Sequence, residues 1–270
     1  MDQQQMKAKI QQTFDTVCKG YDCASLRFFN KAAAHLPEVF GFKGDERLLD
    51  VAAGTGIPAL VCASQLPQGT VTAVDFSAGM LAQAEAKAKA AGLENISFQQ
   101  MDMTEMQLEE ASFDGANCSF GIFFIDDMVA TLQHIASKVK PGGAVVTTHF
   151  LEGSFEPLSG RFVEQAGRYG IEPPPLGWMR VGTETLNREL YQAAGLSSIE
   201  CRSFDVGYHF NSADEWWEVI WNAGYRSLLA GLDQAQLARF KLEHLQQIAT
   251  LDEGNGIQFN IEVLITRGQR

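Results

Sequence analysis

Between residues 47 and 150 the apolar and polar positions change period in a regular alternation, short apolar runs of strand length followed by stretches with helical spacing. RLLDVAA (47–53), TVTAVDF (70–76), ISFQQMD (96–102), FDGANCSF (113–120) and AVVTTHF (144–150) read as five strands. The spacing predicts helices from Pro58 to Leu66, from the N-cap Ser77 to Gly92, and over MVATLQHIASKV (128–139), with KPGG turning the chain into the fifth strand. Strands alternating with crossover helices imply a mostly parallel sheet covered on both faces.

The flanks follow other rules. Residues 3 to 40 read as helical, with apolar positions at Ile10, Phe14 and Val17 and again at Leu26, Phe29, Ala33 and Leu36. The segment 152–182 contains Gly and the run Pro173-Pro174-Pro175, the pattern of a loop or short-helix insertion. A helix over 183–194 ends at Gly195 and leads into a sixth strand, SSIECRSFDV. Ser212 and Glu215 have capping-box spacing and open a helix with Trp217, Trp221, Tyr225 and Leu228 on one face. Another helix follows over about 233–250, and GIQFNIEVLITRG (256–268) reads as one last strand. The organisation expected is an N-terminal helical cap (1–45), a core (46–150), an insertion (151–182), a helical lid (211–255), and the remainder of the core sheet over 183–210 and 256–270.

Composition narrows the function. The 270 residues are 46% apolar and carry a formal net charge of −12, with no run of Lys and Arg. That disfavours a nucleic-acid partner. MDQQQMKAKIQQ lacks the apolar stretch of a signal peptide, and no apolar run has the length of a membrane span. Cys18, Cys23, Cys62, Cys118 and Cys201 are scattered and odd in number, which favours a reducing cytoplasm over a disulfide framework. Cys18 and Cys23 lack the further ligands a metal site needs, and no metal is expected.

The chemistry concentrates after the first strand. Gly54-x-Gly56-x-x-Ala59 matches the dinucleotide fingerprint, and Asp75 stands where a ribose-binding carboxylate belongs. A nicotinamide (NAD(P)) oxidoreductase is therefore one reading. Asp50 inside the first strand, Asp102 with Met103 at the end of the third, FDGANCSFG in the fourth and KPGG before the fifth point elsewhere. Together DVAAGTG, AVDFSAGML, MDM and FDGANCSFGIFF resemble the four motifs of class I S-adenosylmethionine (SAM) dependent methyltransferases. With YDCASLRFF ahead of them, they look most like the ubiquinone/menaquinone-biosynthesis type that acts on small molecules. The resemblance covers residues 14–150 well and the last strand moderately. It departs at Ala52, where the family's motif usually has Gly.

The resemblance implies an α/β, Rossmann-like sheet of seven strands, the last antiparallel, with SAM as cofactor and S-adenosylhomocysteine as product. Ala52, Gly54 and Gly56 would pass close to the methionine part. Asp75 would bind the ribose, Phe76, Met80 and Met103 would pack on the adenine, and Asp102 would take its amine. Ser119 and Phe120 would flank the transferable methyl, and Tyr21 would close over the cofactor. His149, at the end of the fifth strand, is the general-base candidate by position, ahead of His209. Phe123, Phe124, Trp178, Trp217 and Trp221 are the substrate candidates, suited to an apolar or aromatic acceptor. A non-catalytic SAM-binding regulator stands beside the enzyme reading. The acceptor atom (O, N, C or S) and the choice between monomer and homodimer stay open.

Overall fold

In the computed structural model, residues 3–172 and 176–270 are described; the run Pro173–Pro175 lies outside them. The chain opens with α1 (Gln3–Val17), α2 (Phe28–Ala33) and α3 (Leu36–Phe40). The alternating region follows as β1 (Arg47–Val51), α4 (Ile57–Ser64), β2 (Thr70–Asp75), α5 (Ala78–Ala90), β3 (Ile96–Gln100), β4 (Phe113–Ser119), α6 (Met128–Lys138) and β5 (Val139–Phe150). Beyond it come α7 (Leu158–Arg168), α8 (Glu184–Ala193), β6 (Ser197–Asp205), β7 (Tyr208–Phe210), α9 (Ala213–Asn222), α10 (Gln234–Ala249), β8 (Ile257–Phe259) and β9 (Glu262–Gln269).

Seven strands form one sheet in the order β3-β2-β1-β4-β5-β9-β6. β1 to β5 are parallel, and β9 runs antiparallel between β5 and β6. This is the parallel arrangement that the alternation implies, and the Rossmann-like sheet of seven strands that the resemblance implies. Leu48, Leu49 and Val51 of β1 are fully buried because both faces of the sheet are covered. On one face Leu48, Ala59, Cys62 and Leu66 pack with α3; on the other Leu49, Leu132, Ile135 and Tyr191 pack under α6 and α8. The strand order reverses between β1 and β4, so the carboxyl ends of these two strands splay around a crevice.

A third core lies beyond the sheet. Phe28, Phe155, Phe162, Trp216, Phe210, Phe240 and Phe259 pack as one cluster, so the segment after β5 and the segment between β7 and β8 share a single interior. Trp216 is completely buried there, and its indole N–H donates to His244 Nε2 at 2.8 Å.

Five local expectations change. The stretch 3–40 is broken by a turn at residues 18–23 and a 3-10 turn at Ala24–Leu26, and the left-handed Gly41 ends it. KPGG is no turn between elements: it is a bulge within β5, whose pairing with β4 shifts between Phe113–Val139 and Gly115–Ala144. The run 256–268 splits at Asn260, because its first half pairs with β7 in a separate two-stranded ribbon while its second half enters the main sheet. Ser212 makes no capping bond; Glu215 reaches past it to the backbone N–H of Asn211 at 2.8 Å. Finally, α9 ends at Asn222, which carries Tyr225 away from the Trp217–Trp221 stack and into the cluster with Phe162 and Trp216.

Candidate functional site

The crevice at the carboxyl ends of β1 and β4 is a cleft partly open to solvent. Its floor is the turn after β1. Ala52 and Gly54 hold φ of 55° and 54°, and Gly56 holds 82°. Ala52 is thus a residue with a Cβ in the left-handed region, a strain that tends to collect at binding sites. Gly54 has open space where a Cβ would stand, so its backbone faces the cleft bare. Gly56 does not line the cleft. A Cβ there would lie 2.8 Å from the Ala84 Cβ, so this glycine lets α5 pack close against the turn.

Asp75 ends β2 and ties the turn to it, one oxygen accepting from Gly54 N–H and the other from Ser77 N–H, both at 2.8 Å. Burial raises its pKa; the two N–H donors offset part of that shift. Behind the turn, Asp50 is 1% exposed, and its Oδ1 accepts from Asn117 Nδ2 at 2.6 Å while Oδ2 has no partner. Burial pushes this carboxyl up to about 7, against the pull of the Asn117 amide, and the Asp75 charge adds to the shift. From Asn117 the polar chain continues to Ser119 Oγ at 3.2 Å and on to Thr148 Oγ1 at 3.1 Å, and Ser119 borders the cleft.

Asp102 follows β3. Burial works against its charge, yet the Lys7 ammonium at 2.7 Å and the N–H and hydroxyl of Thr104 hold the carboxyl below its ordinary range. The opposite wall is aromatic. Phe14, Tyr21, Phe29, Phe76, Phe120 and Phe124 all line it, with Phe14–Phe124 centroids 5.4 Å apart, Phe29–Phe120 5.2 Å and Tyr21–Phe29 stacked at 5.1 Å. Burial raises the Tyr21 pKa, and the charges of Asp75 and Asp22 raise it further, so the phenol stays protonated.

Tyr21, Ala52, Gly54, Asp75, Phe76, Met80, Asp102, Met103, Ser119, Phe120 and Phe124 therefore meet around one cleft. The other candidates do not. Phe123 is buried in the core under α6, and Trp178 packs edge-on against Phe150 and Phe155. Trp217 is buried in the third core and stacks on Trp221, which borders a separate groove beside α1 with Lys9 and Arg226. His149 is fully buried behind Phe123, and His209 lies exposed on β7. Reading the sequence missed Lys7, Phe14 and Phe29. The two phenylalanines were visible as apolar helix positions, but nothing local says that α1 folds over the sheet edge.

Both ring nitrogens of His149 lack partners, and burial drives its pKa down to about 3. Unfolded, it titrates near 6.5. Its folded pKa is depressed, so its contribution is present above the unfolded value and is lost as pH falls toward the folded one. The stability difference between the wild type and His149→Leu should stay flat above pH 6.5. Below that it should shift against the wild type by about 1.4 kcal/mol per pH unit. Urea unfolding of both proteins from pH 7.5 to 4.5 measures this, with Asp50 cancelling because both carry it. A pH-independent difference would place His149 in contact with solvent or a partner.

Comparison with known proteins agrees with the fold. Residues 48–143 match the family described as Methyltransferase domain. The ubiquinone/menaquinone biosynthesis C-methyltransferase UbiE of Bdellovibrio bacteriovorus is 36% identical over 145 residues, 54% of this chain and 60% of that protein. The match thus spans less than two thirds of that relative. The aklanonic acid methyltransferase DauC of a Streptomyces species is 29% identical over 181 residues, 66% of this chain and 82% of that protein. Among solved structures, the Haemonchus contortus phosphoethanolamine N-methyltransferase 2 in complex with S-adenosyl-L-methionine aligns with a TM-score of 0.56 and 19% identity, covering 95% of this chain and 57% of that one. Among the described residues no group of His, Cys, Asp or Glu could hold a metal ion, and no helix is long and apolar enough to cross a membrane.

Proposed function

We propose that this protein transfers a methyl group from SAM to a small aromatic or otherwise apolar molecule. The observation that carries the reading is one cleft holding a bare glycine turn, the carboxylates Asp75 and Asp102, and a wall of aromatic rings. The matched methyltransferase domain and relatives named as methyltransferases support it. In this reading Gly54 lies along the methionine, Asp75 accepts from the ribose hydroxyls, and Phe76, Met80 and Met103 pack on the adenine. Asp102 takes the adenine amine, which must displace Lys7 from it. Ser119 and Phe120 flank the methyl.

Transfer from a sulfonium is an in-line displacement: the bond from acceptor to methyl forms as the sulfur–methyl bond breaks, and the electron pair stays on sulfur as S-adenosylhomocysteine leaves. What the protein must supply is alignment, with reacting atoms about 3–3.5 Å apart. A base is needed only where the acceptor carries a proton to lose. The acceptor meets the cofactor against Phe14, Phe29, Phe120 and Phe124, a surface suited to a flat ring. The relatives' names, one for ubiquinone and menaquinone biosynthesis and one for aklanonic acid, support an acceptor of that chemical class. The net charge of −12 argues against a nucleic-acid acceptor, and a cytoplasmic monomer or homodimer completes the reading.

Calorimetric titration with SAM, S-adenosylhomocysteine and NAD(H) side by side tests it. The expected result is micromolar binding of the first two and none of the third. NAD(H) binding alone would replace this reading with an oxidoreductase.

A further inference from the structure

Among the described residues His149 is the one fully buried histidine with neither nitrogen engaged, and buried polar groups without partners need a reason. Its position supplies one. It stands on β5 between two buried residues that touch cleft-lining ones: Thr148 meets Ser119 at 3.1 Å, and the Phe150 ring lies 4.6 Å from that of Phe120. Strand alternation turns His149 to the other face, where the Phe123 ring covers it at 6.1 Å. Phe123 in turn sits beside Phe124, which lines the cleft and is 38% exposed. Phe123 is thus the neighbour that His149 and the cleft-lining Phe124 share.

The covering segment is a single short turn. It starts at Phe120, held at φ 56° although it carries a side chain. It is a 3-10 turn, Ile122–Phe124, fastened from outside by Arg180, whose guanidinium donates to the carbonyls of Ile125 at 2.8 Å and Asp126 at 2.6 Å. Gly177 approaches so closely that a Cβ there would lie 3.0 Å from the Phe123 carbonyl oxygen.

Resting on the methyltransferase reading, we propose that the turn 121–125 is a door. Displacing Phe123 joins the cofactor cleft to a compartment whose polar wall is His149, and that compartment takes an aromatic acceptor bearing a hydroxyl or carbonyl oxygen. The vacated space is the size of one ring, with Trp178 and Val181 packed in the same cluster as Phe123. A neutral imidazole offers one donor and one acceptor, so either oxygen satisfies it. No charged group shifts the titration of His149, which leaves an ionic acceptor without a counter-ion there.

The test is carbethoxylation by diethyl pyrocarbonate on the full chain, read by mass spectrometry, with exposed His209 as the reactive reference and buried His244 as the unfolding control. In the wild type His149 should react at least tenfold more slowly than His209. In Arg180→Met it should react at least fivefold faster than in the wild type, with His244 still protected, and added 1-naphthol should restore protection. Tryptophan quenching should show 1-naphthol binding at least tenfold weaker in His149→Leu, with S-adenosylhomocysteine affinity unchanged. Continued protection of His149 in Arg180→Met, no protection by 1-naphthol, or equal 1-naphthol affinity in His149→Leu would each overturn the door. Loss of S-adenosylhomocysteine binding in the wild type would instead overturn the methyltransferase reading on which it rests.

Discussion

Trp216→Ala should lose about 4 kcal/mol of unfolding free energy, the largest stability effect expected of any single substitution outside the sheet. Two causes add. The indole is completely buried against Phe259 and Tyr225, with ring centroids 5.7 Å away in both cases, so truncation leaves a cavity in a packed interior. The indole N–H can only donate, so His244 Nε2 accepts, Nδ1 carries the proton, and Gln165 Oε1 receives it at 3.1 Å. Gln165 Nε2 then donates to the Phe240 carbonyl at 3.1 Å. Removing the first donor leaves an acceptor buried and unpaired, which costs about 1–3 kcal/mol beyond the cavity. The His244 pKa, pushed down to about 4 by burial and by the Arg161 charge, means that the imidazole cannot recover by taking a proton near neutral pH. Urea unfolding at pH 7 measures the loss. A change under 1 kcal/mol would mean that the third core tolerates the gap and that the chain of bonds contributes nothing.

Asp75→Ala should weaken S-adenosylhomocysteine binding by about 3 kcal/mol, roughly 150-fold. The upper end of the range for hydrogen bonds to a charged group applies because Asp75 does two jobs. In the proposed complex it accepts from the ribose. In the protein alone it already holds Gly54 and Ser77 by their N–H groups, so the substitution also frees the turn that must lie along the methionine. Titration calorimetry on the variant measures the effect, and circular dichroism separates it from unfolding. An unchanged dissociation constant would remove Asp75 from the site and leave it a structural staple of the turn.

The core sheet was legible because its signals are local. A parallel strand buried on both faces must be nearly all apolar, as Leu48, Leu49 and Val51 are, and a helix that begins at Ser77 shows its cap in the sequence. The cleft residues after β1, β2, β3 and β4 share one edge because every parallel strand presents its carboxyl end there; the order of elements alone brings Gly54, Asp75, Asp102 and Ser119 together. Gly56 marks the limit of such reasoning, since its motif position is right while its contact is with Ala84 of α5.

What the chain order could not reveal depends on contacts between residues far apart. Lys7 meets Asp102 across 95 positions, Trp216 meets His244 across 28, and Asn260 divides one apolar run between two sheets. Helical spacing says that a side chain is buried without saying against what, so Trp217 and Trp221 read as substrate candidates although aromatics at that spacing more often pack. The sheet, its edge and the residues of the glycine turn can be read from residue order, because backbone geometry and strand burial are encoded within a few neighbouring positions. That α1 roofs the cleft, that the cluster around Trp216 is a separate core and that His149 is buried against Phe123 emerges only on folding, because those outcomes are set by which surfaces exclude water together.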